Sequence, residues 1–336
     1  MRSLVLSLFA CLALTVASGC SSPSSEPEGP QGEEQPRAAR TFEIVYLTEL
    51  SDLTPGAPLR VWIPIPSSSE RQEIGEVSVE VAGEGLTQRF TEDPVWGNRL
   101  LYLEGPSPAA ELKVTLSYAV RRFERHLDLA KLAQNELSEA ERARGLSPGR
   151  LVVVDERIEN EATALQGDDP LAIAQAAYDH VAFQMVYDKS GEGWGRGDSL
   201  YACEVGKGNC TDYHAYFMAL LAARGIPTAF EIGLFGPYEP RPGKTIDLGG
   251  YHCWAEFFAG EWVPVDISEG DKKDLPYFGL QTPNRVTLSR GRDLVLEPAQ
   301  AGEPLNYFVN PYAEVAGKPH PGVSKSATWT DQAKTP

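Results

Sequence analysis

One run of residues constrains the fold of this chain more than any other, because it carries a full set of helix signals around a cysteine. Residues 208–227 have the sequence GNCTDYHAYFMALLAARGIP. Asn209 is a favourable N-cap residue, and the alanine, leucine and methionine residues that follow are good helix formers. Gly225 and Pro227 are typical of positions just beyond a helix C-terminus. The sequence therefore predicts a helix that begins beside Cys210.

The apolar side chains of this helix predict its buried face. Tyr213, Phe217, Leu220 and Leu221 recur at helical spacing. Cys210 then lies in the first turn, where unpaired backbone N–H groups and the positive end of the helix dipole favour a thiolate. Such a cysteine is placed to act as a nucleophile, although most cysteines are small buried hydrophobic residues. A nucleophile of this kind needs a base and an orienting acid elsewhere in the chain.

A predicted β-hairpin at residues 249–266 supplies both groups. Aromatic-rich runs flank an Ala-Gly pair at its centre. A two-residue loop would place His252 and Asp266 on opposite faces. A three-residue loop at 258–260 instead puts Gly260 where the backbone needs a positive φ, and we expect this register. The two side chains are then directly opposed on one face, with Cβ atoms about 5 Å apart.

Three ordered motifs resemble the core of the transglutaminase-like cysteine enzymes. They are Gly-Asn-Cys-Thr-Asp at 208–212 with a Gly-Ile-Pro exit at 225–227, His-Cys-Trp-Ala-Glu at 252–256, and Trp-Val-Pro-Val-Asp at 262–266. The resemblance covers about residues 165–300 and implies an α+β fold, in which a papain-like core packs the cysteine-bearing helix on an antiparallel sheet. It also implies a triad of Cys210 as nucleophile, His252 as base and then acid, and Asp266 as the residue that fixes the imidazole.

The rest of the mature chain divides by composition. Short alternating runs separated by Gly, Pro, Asn and Asp predict a β-sandwich-like domain at 41–126. A helical or irregular connector at 127–165 precedes the catalytic domain at 166–300, and a C-terminal extension occupies 301–336.

A glycine-rich segment at 191–203, after a short strand predicted at 183–187, is expected to form a loop near the active site. Its Trp194 is a candidate for the oxyanion or substrate pocket, because an indole can wall a pocket or donate its N–H. A simple loop anchor is the alternative. Trp254, next but one to the predicted base, is a second candidate for this pocket. We expect the backbone N–H of Cys210 to serve the oxyanion hole, whereas the sequence does not identify the second donor.

Two further alternatives remain open. His214 lies one helical turn after Cys210 and could touch its thiol, although it lacks a carboxylate partner like that of His252. Cys203 and Cys253 could form a disulfide beside the site or remain two buried thiols. The sequence has no CxxC or HExxH motif, so we expect neither a metal ion nor a cofactor.

The N-terminal residues predict export. Residues 1–20 carry one positive charge, Arg2, before an apolar run that is too short to span a membrane. Small residues before Cys20 resemble a bacterial lipoprotein signal, which implies lipidation of this cysteine and favours an outer-membrane address. Secretion with cleavage nearby is the alternative. Residues 21–40 are rich in Ser, Pro, Glu and Gly, and we expect a disordered tether because few apolar side chains offset the entropy of ordering.

Composition narrows the class of partner. The chain has 30 Lys and Arg against 47 Asp and Glu, a formal net charge of −17, which argues against nucleic-acid binding. We therefore expect a lipid-anchored enzyme of the cell envelope that attacks amide bonds of a peptide or protein through a thioester. Hydrolysis is the favoured outcome. Transfer to a lysine amine, as in protein cross-linking, and a non-catalytic peptide-binding scaffold are the alternatives, and the sequence does not indicate an oligomeric state.

Overall fold

The computed structural model describes residues 38–273 and 275–333. The predicted signal peptide, Cys20 and nearly all of the predicted tether lie outside these ranges. The first strand begins at Ala39, so the last two residues of the predicted tether belong to a strand. Every helix within the described ranges falls short of the length or the apolarity required to span a bilayer.

The first sheet joins strands from three parts of the chain. Its strands are β1 (Ala39–Leu50), β3 (Gln72–Ile74), β4 (Ser78–Ala82), β7 (Leu112–Phe123), β12 (Thr245–Asp247) and β19 (Val323–Asp331). The order is β12-β19-β1-β7-β3, with β4 also paired to β7, and every pair is antiparallel. In β1 and β7 alternate side chains are buried, which gives this sheet one apolar face.

The second sheet packs against that apolar face. Its strands are β2 (Pro58–Pro64), β5 (Thr87–Glu92), β6 (Arg99–Pro106), β17 (Tyr312–Val315) and β18 (Lys318–Pro319), in the antiparallel order β18-β17-β2-β6-β5. Phe42 and Ile44 of β1 share one apolar core with Val61 and Leu103 of this sheet. Strands β17 and β19 come from residues 301–336, so the C-terminal segment completes both layers of the sandwich.

A third antiparallel sheet carries the predicted catalytic motifs. It consists of β11 (Thr228–Phe235), β13 (His252–Phe258), β14 (Trp262–Val265) and β16 (Arg285–Arg290), in the order β14-β13-β11-β16. Two small ribbons lie outside the three sheets. They pair β9 (Val186–Tyr187) with β10 (Lys207–Gly208), and β8 (Arg125–His126) with β15 (Leu280–Gln281).

The described ranges contain six α-helices, four of which pack around a fifth. The six helices are α1 (Glu139–Leu146), α2 (Glu156–Ala164), α3 (Pro170–Gln184), α4 (Ser199–Val205), α5 (Cys210–Ala223) and α6 (Ile267–Lys273). Helix α5 packs against α2, α3, α4, α6 and the strands β11 and β13, and it is buried all round from Cys210 to Leu221. The predicted single apolar stripe understates this burial, because neighbouring helices cover the outer face as well.

The predicted start and end of α5 are confirmed, with Asn209 as N-cap and a left-handed Gly225 after the helix. Two neighbouring predictions are wrong. Helix α3 continues to Gln184, into the strand predicted at 183–187, and leaves only Val186 and Tyr187 in extended pairing. Helix α4 forms inside the loop predicted at 191–203, because Asp198 caps it by accepting the N–H groups of its first residues. The predicted α+β class, with a cysteine-bearing helix against an antiparallel sheet, is confirmed.

Candidate active site

The first turn of α5 is fixed by a reciprocal cap. The side-chain oxygen of Asn209 accepts a hydrogen bond from the N–H of Thr211 at 2.9 Å, and the carboxylate of Asp212 accepts one from the N–H of Asn209 at 2.9 Å. This capping box satisfies donors that a helix otherwise leaves unpaired. Cys210 is the first residue of the helix and only 2% exposed. Its N–H lies at the helix start, as the predicted oxyanion role requires.

Asp212 also holds the glycine-rich loop that precedes α4. Its carboxylate accepts the N–H groups of Gly195 at 2.6 Å and Gly197 at 2.9 Å. Gly208 permits this approach, since a Cβ there would lie 2.4 Å from Oδ2 of Asp212. Burial raises the pKa of Asp212, while three backbone N–H groups stabilise its charged form. The sequence reasoning missed this residue, although the Asn-x-x-Asp spacing is a capping-box signal that points to it.

His252 and Asp266 meet at the open end of the hairpin. Nε2 of His252 lies 2.7 Å from Oδ2 of Asp266, and both side chains are buried. Since Nε2 faces the carboxylate, Nδ1 is the ring nitrogen left for the sulfur, and the Cys210 thiol forms a hydrogen bond with this imidazole. The three residues of the predicted triad therefore lie together where α5 meets the third sheet, β14-β13-β11-β16, called the catalytic sheet below.

The predicted register of the hairpin is wrong. The three-residue loop covers 259–261 rather than 258–260, so that Phe258 pairs with Trp262. Gly260 is left-handed in the observed loop, with φ of 87°, as the prediction required.

The loop is displaced because Glu261 bonds outside the hairpin. Its carboxylate accepts hydrogen bonds from Nη2 of Arg125 and from the N–H of Ala133, both at 2.9 Å. His252 and Asp266 are consequently not a directly opposed pair. They still share a face, because the displacement changes the pairing by an even number of residues and so preserves side-chain alternation.

The carboxylate of Asp266 is held at both oxygens. Oδ1 accepts the N–H of Glu269 at 3.2 Å, which caps α6, and Oδ2 accepts Nη1 of Arg285 at 2.9 Å. Burial raises the pKa of Asp266, but His252 and Arg285 outweigh it and hold this pKa well below its usual range. Arg285 comes from β16, and no local sequence pattern identifies it as a partner of the triad.

The pKa values of Cys210 and His252 are shifted in opposite directions. The pKa of Cys210 lies well below that of an ordinary thiol. A hydrogen bond from the Cys253 thiol lowers it most and the His252 imidazole lowers it further, and together they outweigh burial, which raises it. Burial lowers the pKa of His252, but Asp266 and Cys210 outweigh it and raise this pKa to about 9. These opposite shifts favour a thiolate beside an imidazolium. A low-pKa cysteine in such surroundings is a reactive nucleophile.

His214, the alternative base, is committed to backbone groups. Its Nε2 accepts the N–H of Ile267 at 3.1 Å, so Nδ1 carries the proton and donates to the carbonyl of Cys210 at 2.7 Å. The ring is fully buried, and this burial lowers its pKa. His214 thus ties the start of α6 to the nucleophile's turn and has no nitrogen free for the sulfur.

The two tryptophans singled out in the sequence direct their indole N–H groups to other partners. Trp254 is fully buried behind His252, and its N–H donates to Oε2 of Glu231 at 2.6 Å. Trp194 is half-buried, and its N–H donates to the carbonyl of Gly191 at 3.2 Å. Both indole N–H groups are therefore occupied. In this structure Trp194 is a loop anchor, and Trp254 is a packing residue behind the imidazole.

The described cysteines are all free thiols. Sγ of Cys203 lies 3.5 Å from Oε1 of Glu161, whereas Sγ of Cys253 lies 3.7 Å from Nδ1 of His214. The alternative of a Cys203–Cys253 disulfide is therefore not realised here. Cys253 is instead the hydrogen-bonding neighbour of Cys210, a role that the sequence reasoning missed.

A cleft of about 420 Å³ opens beside His252. Tyr251 forms part of its wall, and its hydroxyl accepts a hydrogen bond from Nδ2 of Asn209 at 3.5 Å. The same hydroxyl lies 3.3 Å from that of Tyr307, which donates to the carbonyl of Gly195 at 3.3 Å. This chain of bonds connects the cleft wall, the nucleophile's cap and the C-terminal segment.

Comparisons with known proteins identify similarities that include the part of the chain carrying Cys210, His252 and Asp266. The model of the transglutaminase-like superfamily matches residues 158–267. An uncharacterised protein of Haemophilus influenzae is 24% identical over 302 residues, which cover 77% of this chain and 81% of the relative. The crystal structure of a candidate cysteine protease from Cytophaga hutchinsonii has a TM-score of 0.61 at 14% identity, over 89% of this chain and 92% of that one. At that identity the likeness shows a common fold.

Proposed function

Because residues 158–267 form a transglutaminase-like superfamily domain, we propose that this protein is a cysteine-dependent enzyme that hydrolyses amide bonds of peptides or proteins through a thioester. The observation that carries the proposal is the buried arrangement of Cys210, His252 and Asp266, with 2.7 Å between the imidazole and the carboxylate. A nucleophile, a proton carrier and an orienting acid within hydrogen-bonding reach are the parts that acyl transfer requires.

In the proposed reaction the sulfur of Cys210 attacks the amide carbonyl carbon. The C–N bond breaks as the His252 imidazolium gives its proton to the departing amine. Water then attacks the thioester, its proton passes to His252, and the acyl group leaves as a carboxylic acid. Asp266 stabilises the imidazolium and fixes its orientation, and the backbone N–H of Cys210 stabilises the oxyanion. Because the lowered pKa of Cys210 and the raised pKa of His252 favour the thiolate, His252 acts first as an acid in the proposed reaction, whereas the sequence predicts that it begins as a base.

The cleft beside His252 favours hydrolysis over transfer to an amine. Its lining includes the exposed Lys272 and Lys273, which keep this side of the imidazole hydrated.

The test is a comparison of the wild type with Cys210→Ala on a peptide library, with and without monodansylcadaverine as amine donor. We expect new carboxyl groups on the products of the wild type and none with Cys210→Ala, as measured by mass spectrometry. Incorporation of the amine in place of water would favour cross-linking. Iodoacetamide should alkylate Cys210 at pH 6.5 at a rate within about threefold of that at pH 8, because the thiolate is already formed. Absence of turnover, together with alkylation only at alkaline pH, would favour a binding scaffold.

We further propose that the enzyme is tethered to the bacterial envelope through a lipid on Cys20. This part of the proposal is supported by the sequence of residues 1–40 alone.

A further inference from the structure

Two lysines in the lining of the active-site cleft run against the composition of the chain. The formal net charge is −17, yet Lys272 and Lys273 both border the cleft beside His252. They are the last two residues of α6, and both are exposed. The cleft therefore presents positive charge to a substrate on a protein that is otherwise strongly acidic.

Aromatic rings position both ammonium groups without neutralising them. Nζ of Lys272 lies 3.7 Å from the ring centroid of Tyr187, and Nζ of Lys273 lies 3.8 Å from that of Tyr238. Glu269 is 3.6 Å from Lys272 and offsets part of its charge. Within residues 38–273 and 275–333, the contact that positions the Lys273 ammonium is the ring of Tyr238.

A third ammonium adds to the positive potential at the same place. Nζ of Lys189 lies 5.6 Å from the ring centroid of Tyr187, which Lys272 also approaches. Two lysines from different parts of the chain thus converge on one aromatic side chain of the cleft wall.

A continuous wall of rings links Lys273 to the reacting groups. The ring centroids of His252 and Phe235 are 4.7 Å apart, those of Phe235 and Tyr238 are 5.7 Å apart, and Lys273 lies on Tyr238. An extended peptide of about four residues therefore spans the distance from the His252 imidazole to the Lys273 ammonium. A substrate that is bound for attack by Cys210 can therefore reach it.

We propose that this cleft selects peptides with a carboxylate near the scissile amide, held by Lys272 and Lys273 while the tyrosine rings contact its apolar part. The inference rests on the proposed function and names its substrate class. Charge-assisted hydrogen bonds from ammonium to carboxylate are stronger than neutral ones, and a positive cleft steers anions toward it. The carboxylate can belong to an acidic side chain or to a peptide C-terminus, and the experiment separates the two.

Matched alkylating peptides test the proposal without knowledge of the natural substrate. Peptidyl chloromethyl ketones extend to the acyl side of Cys210, and bromoacetyl peptides extend to the leaving-group side. Each probe carries glutamate or the isosteric glutamine at one of its first few positions, and a further bromoacetyl pair ends in a carboxylate or an amide. We expect the anionic probe of at least one pair to react about 3- to 10-fold faster, and the advantage to shrink in high salt.

The lysine variants assign the effect. The double variant Lys272→Gln/Lys273→Gln should reduce the ratio of anionic to neutral rates to near one. Lys318→Gln, which removes the same charge from an exposed position of another sheet, should leave the ratio as in the wild type. Each rate is divided by the iodoacetamide rate of the same variant, so that changes in the thiolate itself cancel.

Each outcome has one meaning. Equal rates for every anionic and neutral pair, or a preference that survives in the double variant, would overturn the inference and leave the proposed function standing. No reaction of Cys210 with any probe, iodoacetamide included, at neutral pH would overturn the proposed function itself. A preference confined to the carboxylate-ended bromoacetyl probe would identify a peptide C-terminus as the group that the lysines bind.

Discussion

Two buried charged clusters lie along one face of strand β13, and they differ in what their charges can do. His252, Trp254 and Glu256 alternate along the strand and so share this face. At one end His252 is paired with Asp266 and Cys210. At the other end Glu256 contacts the guanidinium of Arg71 and lies 2.8 Å from that of Arg290. Trp254 stands between the two clusters.

The second cluster consists of arginines and glutamates only. Glu231 lies 3.3 Å from Arg71 and 3.1 Å from Arg290, and it accepts the N–H of Trp254. Burial raises the pKa of Glu231, but Arg71 and Arg290 outweigh it and lower this pKa to about 2. Arginine does not lose its proton in proteins. Glu231 and its arginine partners therefore keep their charges throughout the physiological pH range.

The difference shows which buried charges mark a reactive site. The cluster around Glu231 joins Arg71, which precedes β3 of the sandwich, to the catalytic sheet, and its arginines hold the pKa of Glu231 far below neutral. The cluster around His252 pairs a histidine with a thiol, and the pKa values of these two groups are shifted in opposite directions. Both clusters contain buried charge. The cluster around His252 differs in holding a proton that can move between Cys210 and His252.

We expect the largest effect from a substitution in the cluster around His252. Asp266→Asn should lower kcat/KM by about 10³- to 10⁴-fold, because the imidazolium loses the charge that stabilises it. The same change leaves Arg285 buried without its carboxylate, so the free energy of unfolding should fall by about 3 to 5 kcal/mol. Steady-state kinetics and urea denaturation measure the two effects.

A double variant separates these consequences. Asp266→Asn/Arg285→Met removes the orphaned guanidinium and should recover part of the lost stability without recovering activity. If the double variant regained kcat/KM along with its stability, Asp266 would act through folding, and the two clusters of β13 would be equivalent in kind.

An intermediate effect is expected at the other end of the strand. Arg71→Met leaves Glu231 and Glu256 with one guanidinium fewer, and the free energy of unfolding should fall by about 3 to 5 kcal/mol. We expect kcat/KM of the folded protein at 25 °C to change by less than about threefold, since no member of this cluster touches the reacting atoms. Arg121→Met is the matched control, because Arg121 is half exposed beside Glu73 and should cost less than about 1 kcal/mol. A large loss of activity in Arg71→Met without loss of stability would assign this cluster to catalysis.

The parts of the site that follow from local patterns were predictable from the sequence. The cap at Asn209 and the stop at Gly225 fix the position of Cys210 through the geometry of one helix. The face shared by His252 and Asp266 follows from strand alternation, which tolerates the displaced loop because the displacement is even.

The parts that depend on long-range contacts could not be predicted in this way. Arg285 reaches Asp266 from a strand on the far side of β11, and Tyr307 reaches the cleft wall from the C-terminal segment. Glu261 displaces the hairpin loop through bonds to residues near 130, which no pattern within the hairpin reveals. The indole of Trp254 faces Glu231 rather than the cleft for the same reason, because its partner lies on another strand.

We expect the smallest effect from a change at Cys253, which tests what keeps the pKa of Cys210 low in the cluster around His252. The hydrogen bond from Cys253 is the largest influence on the pKa of Cys210. Cys253→Ala should therefore raise the midpoint of the iodoacetamide pH profile. Above both midpoints the two proteins should react at equal rates, so the loss appears only at lower pH, where less of the variant's Cys210 is a thiolate. Because this shift acts on the thiolate fraction alone, kcat/KM near pH 7 should fall by less than about tenfold.

Cys253→Ser keeps a donor at the same position and should lie between the wild type and Cys253→Ala. Labelling of Cys210→Ala gives the background from Cys203, whose own pKa is raised by burial. Coincident profiles for the wild type, Cys253→Ala and Cys253→Ser would mean that His252 alone sets the charge of the nucleophile. An upward shift in Cys253→Ala that Cys253→Ser partly reverses would mean that a neutral donor on the opposite face of β13 controls the reactive cluster. No such donor is needed where arginine charges are permanent, as they are around Glu231.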